Sequence, residues 1–180
     1  NATGPTNVGD ESILYSLLKL LRESSPDIQI TVLTSDPHLC KKENDLTFDE
    51  SLYEWSFSSS LNFMGKFSRS IQVFTGFVLL KLKLGFLIRN KELVKIINYY
   101  NEADLIVYVG GGSLRAVRGV KNSYILLIIL MTYSYANLYK TKKIITPLSF
   151  GPFNSEWQYK LTAKIIEKSD IISFREIYSC

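Results

Sequence analysis

Apolar residues along this chain change period several times, and each change predicts an element. Ile13, Leu14, Leu17, Leu18 and Leu21 recur at spacings of three and four, which predicts an amphipathic helix over 10–22. Asp10 and Glu11 stand at its start, where carboxylates suit the positive end of a helix, and Ser24-Ser25-Pro26-Asp27 closes it. Ile28 to Leu33 alternates β-branched and polar positions, predicting a strand that Ser35-Asp36-Pro37 ends. From 36 to 65 no clean period survives. That stretch reads as a loop-rich insertion with one short strand near Leu46 to Phe48.

Beyond it, spacing predicts helices over Phe67 to Leu87 and Lys91 to Tyr100, and then a regular alternation. Strands at 104–109, 143–147 and 170–174 are separated by helices at 121–139 and 155–168. Near-continuous apolar strands alternating with helices imply a parallel sheet covered on both faces. The expected fold class is α/β, a Rossmann-like doubly wound parallel sheet forming one domain over 1–180. In such a domain a strand should precede the loop at Asn7, and nothing strand-like does. The chain starts at Asn1 without a methionine and stops at Cys180, a few residues into what reads as a new helix. It is therefore expected to be truncated at both ends.

Three unusual segments follow predicted strands: Gly110-Gly111-Gly112-Ser113, Ser149-Phe150-Gly151-Pro152-Phe153, and Arg175-Glu176. In open α/β sheets ligands bind outside the carboxyl ends of the strands, so these segments predict one shared site. Three consecutive glycines are entropically costly unless backbone must pass close to a ligand or to a neighbouring helix. They form neither GxGxxG nor a P-loop, so neither a dinucleotide nor ATP follows from them. The 149–153 segment reads as a rigid turn with an exposed aromatic or two. Arg175, placed straight after an apolar strand, must be solvated, paired with an acid or bound to an anion. At the first helix, Asn7-Val8-Gly9-Asp10-Glu11 offers close backbone approach at Gly9 and free N–H groups that favour anions. Asp10 and Glu11 complicate a phosphate cradle; they cap the helix, hold a sugar hydroxyl, or act as acid and base.

Composition narrows the partners. A net charge of +4 is mild, and the basic residues are spread rather than interleaved with aromatics, which argues against nucleic acid. Cys40, Cys180 and the single His38 supply neither a disulfide framework nor a metal site nor a Cys/His pair, so no metal is expected and a reducing, cytoplasmic setting is the default. Two apolar stretches bear on membranes. Ser123 to Leu138 is uncharged but short and dotted with polar residues, and Ile71 to Ile88 contains Lys81 and Lys83. Both read as helices packed on a sheet, with peripheral membrane contact through 61–88 left open by its large apolar surface.

Taken in order, Asn7-x-Gly9-Asp10-Glu11-Ser12-Ile13-Leu14, Ala103-Asp104-Leu105 leading to Gly110-Gly111-Gly112-Ser113-Leu114, Phe150-Gly151-Pro152, and Ile172-Ser173-Phe174-Arg175-Glu176-x-x-Ser179 resemble the polysaccharide pyruvyl transferase family. The resemblance implies the N-terminal half of a GT-B-like two-domain enzyme, with the C-terminal domain absent and this fragment inactive alone. It implies phosphoenolpyruvate as donor substrate, no cofactor, and a glycan or lipid-linked sugar as acceptor, with work at the inner face of the membrane left open. Asp10, Glu11 and Arg175 become the catalytic candidates. Asn7, Gly9, Gly110, Gly111, Gly112, Ser113, Gly151, Pro152 and Glu176 become the substrate-binding candidates. One departure stands out: family members often carry an acid shortly after the triple glycine, whereas Leu114-Arg115-Ala116-Val117-Arg118 is basic or neutral. The competing readings are a GT-B glycosyltransferase using a sugar nucleotide and a non-catalytic binding domain. Oligomeric state is not readable.

Overall fold

The computed structural model describes residues 8–34, 46–109, 114–116 and 119–174. Helix α1 spans Val8–Ser24 and is followed by strand β1, Ile30–Thr34. Leu14 and Leu18 on α1 pack with Val32 of β1 into a small core that also takes in Val109. Strand β2, Leu46–Glu50, pairs parallel to β1 from Ile30↔Leu46 to Thr34↔Glu50.

The stretch after β2 is not the loop its pattern suggests. Its described part contains helix α2, Leu52–Phe57, capped by the Ser51 hydroxyl on the Glu54 amide. A helix of six residues is too short to show a period and is marginal in water. Burial of Leu52 and Trp55 holds it, a tertiary cause that no local signal announces. Residues 36–45 of the expected insertion lie outside the described residues.

Helix α3, Phe63–Lys81, starts a turn earlier and ends sooner than its apolar spacing implies. Asn62 caps its start, its side-chain oxygen accepting the Gly65 amide at 2.8 Å. At its end Lys83 takes φ 60° and two reversed bonds close the helix: Lys83 N–H to the Leu80 carbonyl and Leu84 N–H to the Leu79 carbonyl. This is a Schellman stop with lysine where glycine usually sits, so the apolar run through Leu87 conceals it. A 3-10 turn at Gly85–Leu87 leads to helix α4, Lys91–Glu102.

Strands β3, Leu105–Tyr108, β5, Lys142–Leu148, and β7, Ile171–Phe174, form one parallel sheet in the order β3-β5-β7. Asp170 sets its register: its carboxylate accepts the Lys143 amide at 2.7 Å and its own amide returns a bond to the Lys143 carbonyl. Strand β4, Leu114–Ala116, pairs parallel with β6, Phe150–Phe153. The 149–153 segment is therefore largely a strand rather than a free turn, and both its phenylalanines are half-buried. Helices α5, Val120–Ala136, and α6, Glu156–Ile166, pack against each other, and α5 also meets α2, α3 and α4. The main core is continuous from Leu52 and Val73 through α4 and α5 to Ile145 and Ile166. This mixed α/β arrangement of parallel strands fits the Rossmann-like expectation.

Candidate functional site

Because β3, β5 and β7 are parallel neighbours, their carboxyl ends share one edge of the sheet. Tyr108 pairs with Ile145, and Leu148, a few residues further along β5, pairs with Phe174 at the end of β7. The Thr146 hydroxyl donates to the Tyr108 carbonyl at 2.9 Å, fastening the end of β3 to β5. Past this edge the chain from β3 resumes in β4 and the chain from β5 in β6, and these two pair with Leu114 opposite Phe150. Val109 touches the α1–β1 core, so α1 lies beside the same edge.

The rim carries a cluster of rings. Phe150 meets Phe153, Tyr159 and Phe174 edge-on, with centroids 5.0, 5.7 and 5.8 Å away. Such T-shaped contacts fix the rings by quadrupole as well as by burial. Gly151 supports the bend at φ 89°, where a side chain would be strained, and its bond to Pro152 is cis. Phe174, the last residue of β7, thus braces the backbone immediately before Arg175.

Two helices open toward this rim without a side-chain cap. Gly119 precedes α5 and Ser155 precedes α6, and neither residue caps its helix with a side chain, while Glu156 stands in the first turn of α6. Uncapped amides and the helix dipole favour negative charge. Gln158, 1% exposed, joins the two starts. Its carbonyl accepts the Asn154 amide at 2.9 Å and its amide donates to the Ser123 hydroxyl at 2.8 Å. Sequence reading passed over Gln158 and Ser123; a polar residue on the inward face of α6 was the available signal.

The predicted residues distribute unevenly. Gly9, Asp10 and Glu11 lie in the first turn of α1. Gly151 and Pro152 lie in β6, beside the ring cluster. Asn7, Gly110, Gly111, Gly112, Ser113, Arg175 and Glu176 lie outside the described residues, as do His38, Cys40 and Cys180. Their described flanks, Val109, Leu114 and Phe174, come to the one edge. Arg115 sits on the exposed side of β4, with Leu114 buried beneath, so alternation turns its charge away from the core. Among the described residues no group of His, Cys, Asp or Glu could hold a metal ion.

A family model for polysaccharide pyruvyl transferase matches residues 7–180. The chain belongs to the polysaccharide pyruvyl transferase family. The matched range takes in α1 and every strand that ends at the shared edge. Comparison with curated proteins and with solved structures gives no match. No helix among the described residues is long and apolar enough to cross a membrane.

Proposed function

We propose that this pyruvyl transferase family member moves the pyruvyl group of phosphoenolpyruvate onto two hydroxyls of a sugar in a cell-surface polysaccharide or its precursor. The product is a cyclic ketal and the leaving group is inorganic phosphate. One observation carries the reading: the parallel strands β3, β5 and β7 end on one edge of a chain that the family model matches over 7–180, and the starts of α5 and α6, which lack an N-cap side-chain bond, lie beside it. A donor with a phosphate and a carboxylate needs that kind of positive, backbone-rich surface.

In this reaction a proton adds to the enol methylene and leaves an oxocarbenium-like carbon. One sugar hydroxyl attacks that carbon and gives up its proton to a base. The second hydroxyl then displaces phosphate with carbon–oxygen cleavage, and its proton leaves on the phosphate. Of the two hydroxyl protons, one is thus balanced by the new methyl group and one by hydrogen phosphate. Arg175 is assigned the donor's anionic groups, with Glu176 beside it. Asp10 and Glu11 are assigned the sugar hydroxyls and the proton transfers. Gly110, Gly111 and Gly112, with Ser113, let backbone approach the donor, while Asn7, Gly9, Gly151 and Pro152 complete the wall. In this reading the α/β unit is the N-terminal half of a GT-B-like enzyme, and a second domain closes the cleft. The setting is cytoplasmic, because a donor carrying both a carboxylate and a phosphate does not cross a bilayer unaided.

The test is phosphate release from phosphoenolpyruvate by the complete enzyme, with and without a panel of envelope glycans. Glycan-dependent release with a ketal product supports the reading. In that assay Arg175→Ala should cut turnover by about 10²–10³-fold. Unchanged turnover removes Arg175 from the mechanism, and nucleotide-sugar binding without phosphate release replaces the reaction by glycosyl transfer.

A further inference from the structure

Helix α3 has two faces of different fate. Ser70, Val73 and Gly76 are buried against the core, and the Tyr135 hydroxyl donates to the Val73 carbonyl at 2.6 Å. On the opposite face Phe63, Phe67, Ile71, Phe74, Val78 and Leu82 recur every three or four residues and are all exposed, from 38% at Phe74 to 78% at Phe63. At 1.5 Å per residue this apolar stripe runs for about 28 Å. Phe86, 79% exposed, and Leu87 extend it past the helix end. A monomer seldom leaves such a contiguous patch in water.

The charges around the stripe are one-sided. From Trp55 to Lys91 the chain has Lys66, Arg69, Lys81, Lys83, Arg89 and Lys91, and no aspartate or glutamate. Arg69 turns inward to the Trp55 carbonyl and ring. Lys81, Lys83, Arg89 and Lys91 are exposed around the end of α3 and the turn beyond it. Glu54 in α2 and Glu92 in the first turn of α4 flank that stretch, but the exposed charges at the end of α3 and in the turn beyond it are cations. An apolar stripe edged in this way complements a surface that is apolar below and anionic above. A symmetric second copy complements it poorly, because it would bring the same cations onto the same patch.

We propose that the outer face of α3, with the turn at Phe86 and Leu87, docks on an anionic lipid bilayer. The helix lies in the plane of the interface, its rings and aliphatic chains enter the acyl boundary, and Lys81, Lys83, Arg89 and Lys91 meet lipid phosphates. This surface is independent of the transfer chemistry and stands whichever reaction the enzyme performs.

Flotation of the full chain with vesicles tests it, using phosphatidylcholine alone and phosphatidylcholine with about 30 mol% phosphatidylglycerol. The chain should float with the anionic vesicles, remain behind with the neutral ones and be released by high salt. The pair Phe67→Ser and Phe86→Ser, and separately the pair Arg89→Glu and Lys91→Glu, should each weaken binding at least about tenfold. Both pairs alter exposed positions, and Glu at the start of α4 suits its dipole, so thermal melting should stay near that of the parent. No binding to anionic vesicles, equal binding to both kinds, or binding that neither pair weakens would overturn the proposal. So would a solution dimer that the phenylalanine pair dissociates while vesicles capture nothing, which would assign the face to a second copy.

Discussion

Helices α5 and α3 are the two long apolar helices of this molecule, and the fold treats them in opposite ways. Helix α5 has one charged residue, Lys121, and its Leu126, Ile128, Leu130, Met131, Tyr133 and Tyr135 are buried at positions that circle the helix. Other elements enclose it on all sides, which is the usual fate of a helix apolar all round. Helix α3 is covered on one side only, and its second apolar face stays in water beside a band of cations. Apolar length alone does not distinguish them. The difference lies in where the charges stand: almost none on α5, several with one sign on and after α3.

The comparison breaks most visibly under one substitution made twice. Ile128→Ala, at 0% exposure on α5, should cost about 2–5 kcal/mol in denaturant unfolding, from lost transfer energy and a cavity. Ile71→Ala, at 49% exposure on α3, should stay within about 0.5 kcal/mol while weakening vesicle binding. Equal losses at the two sites would mean that something covers the outer face of α3 in solution.

A second experiment probes where the two helices touch. A Cβ on Gly76 of α3 would come within 2.8 Å of the Tyr135 hydroxyl of α5 and 3.3 Å of Leu93. Alanine in place of glycine favours a helix by about 1 kcal/mol, but overpacking costs about 1–3 kcal/mol. Since the hydroxyl is held by Val73, the clash should win and Gly76→Ala should destabilise by about 1–2 kcal/mol. In a Tyr135→Phe background most of that penalty should vanish, read as coupling in a double-mutant cycle. Additive effects would refute this close approach.

The helix starts differ too. Asn62→Ala removes the cap of α3 and should cost about 1 kcal/mol by thermal melting. Gly119, before α5, has no side-chain cap to lose. The smallest effect concerns neither helix and serves as the control. Asp49 of β2 pairs with Lys95 and accepts the Tyr99 hydroxyl at 2.7 Å, tying β2 to α4. Partial burial works to raise its pKa, but the bonds from Lys95, Tyr99 and the Glu50 amide outweigh it and hold the carboxyl below its usual 3.8. A depressed carboxyl contributes stability that is complete above 3.8 and is lost as pH falls through its folded value. Melting temperature should therefore drop more steeply below that pH in the parent than in Asp49→Asn. Parallel curves would show that the ion pair does not form in solution.

Much of the molecule was legible in the order of its residues. The alternation from Asp104 to Phe174, the helix at Leu14 and Leu18, and the family motifs at the strand ends all come from local periods and local turn chemistry. Those signals survive because each element is long enough to repeat its own pattern. What escaped was non-local. Helix α2 exists because Trp55 and Leu52 find a core. The α3 stop depends on Lys83 accepting a left-handed backbone. The β6 strand depends on Leu114 being opposite Phe150, which no turn signal in 149–153 could reveal.

The same division holds for the site and the surface. By itself the sequence determined the class of fold, the family and the residue types available for anions and hydroxyls. Only the tertiary structure brought Val109, Leu114, Phe150 and Phe174 to one edge, joined two helix starts through Gln158, and left one face of α3 bare. Periodicity tells a helix which sides are apolar, but which apolar side is covered depends on partners far along the chain.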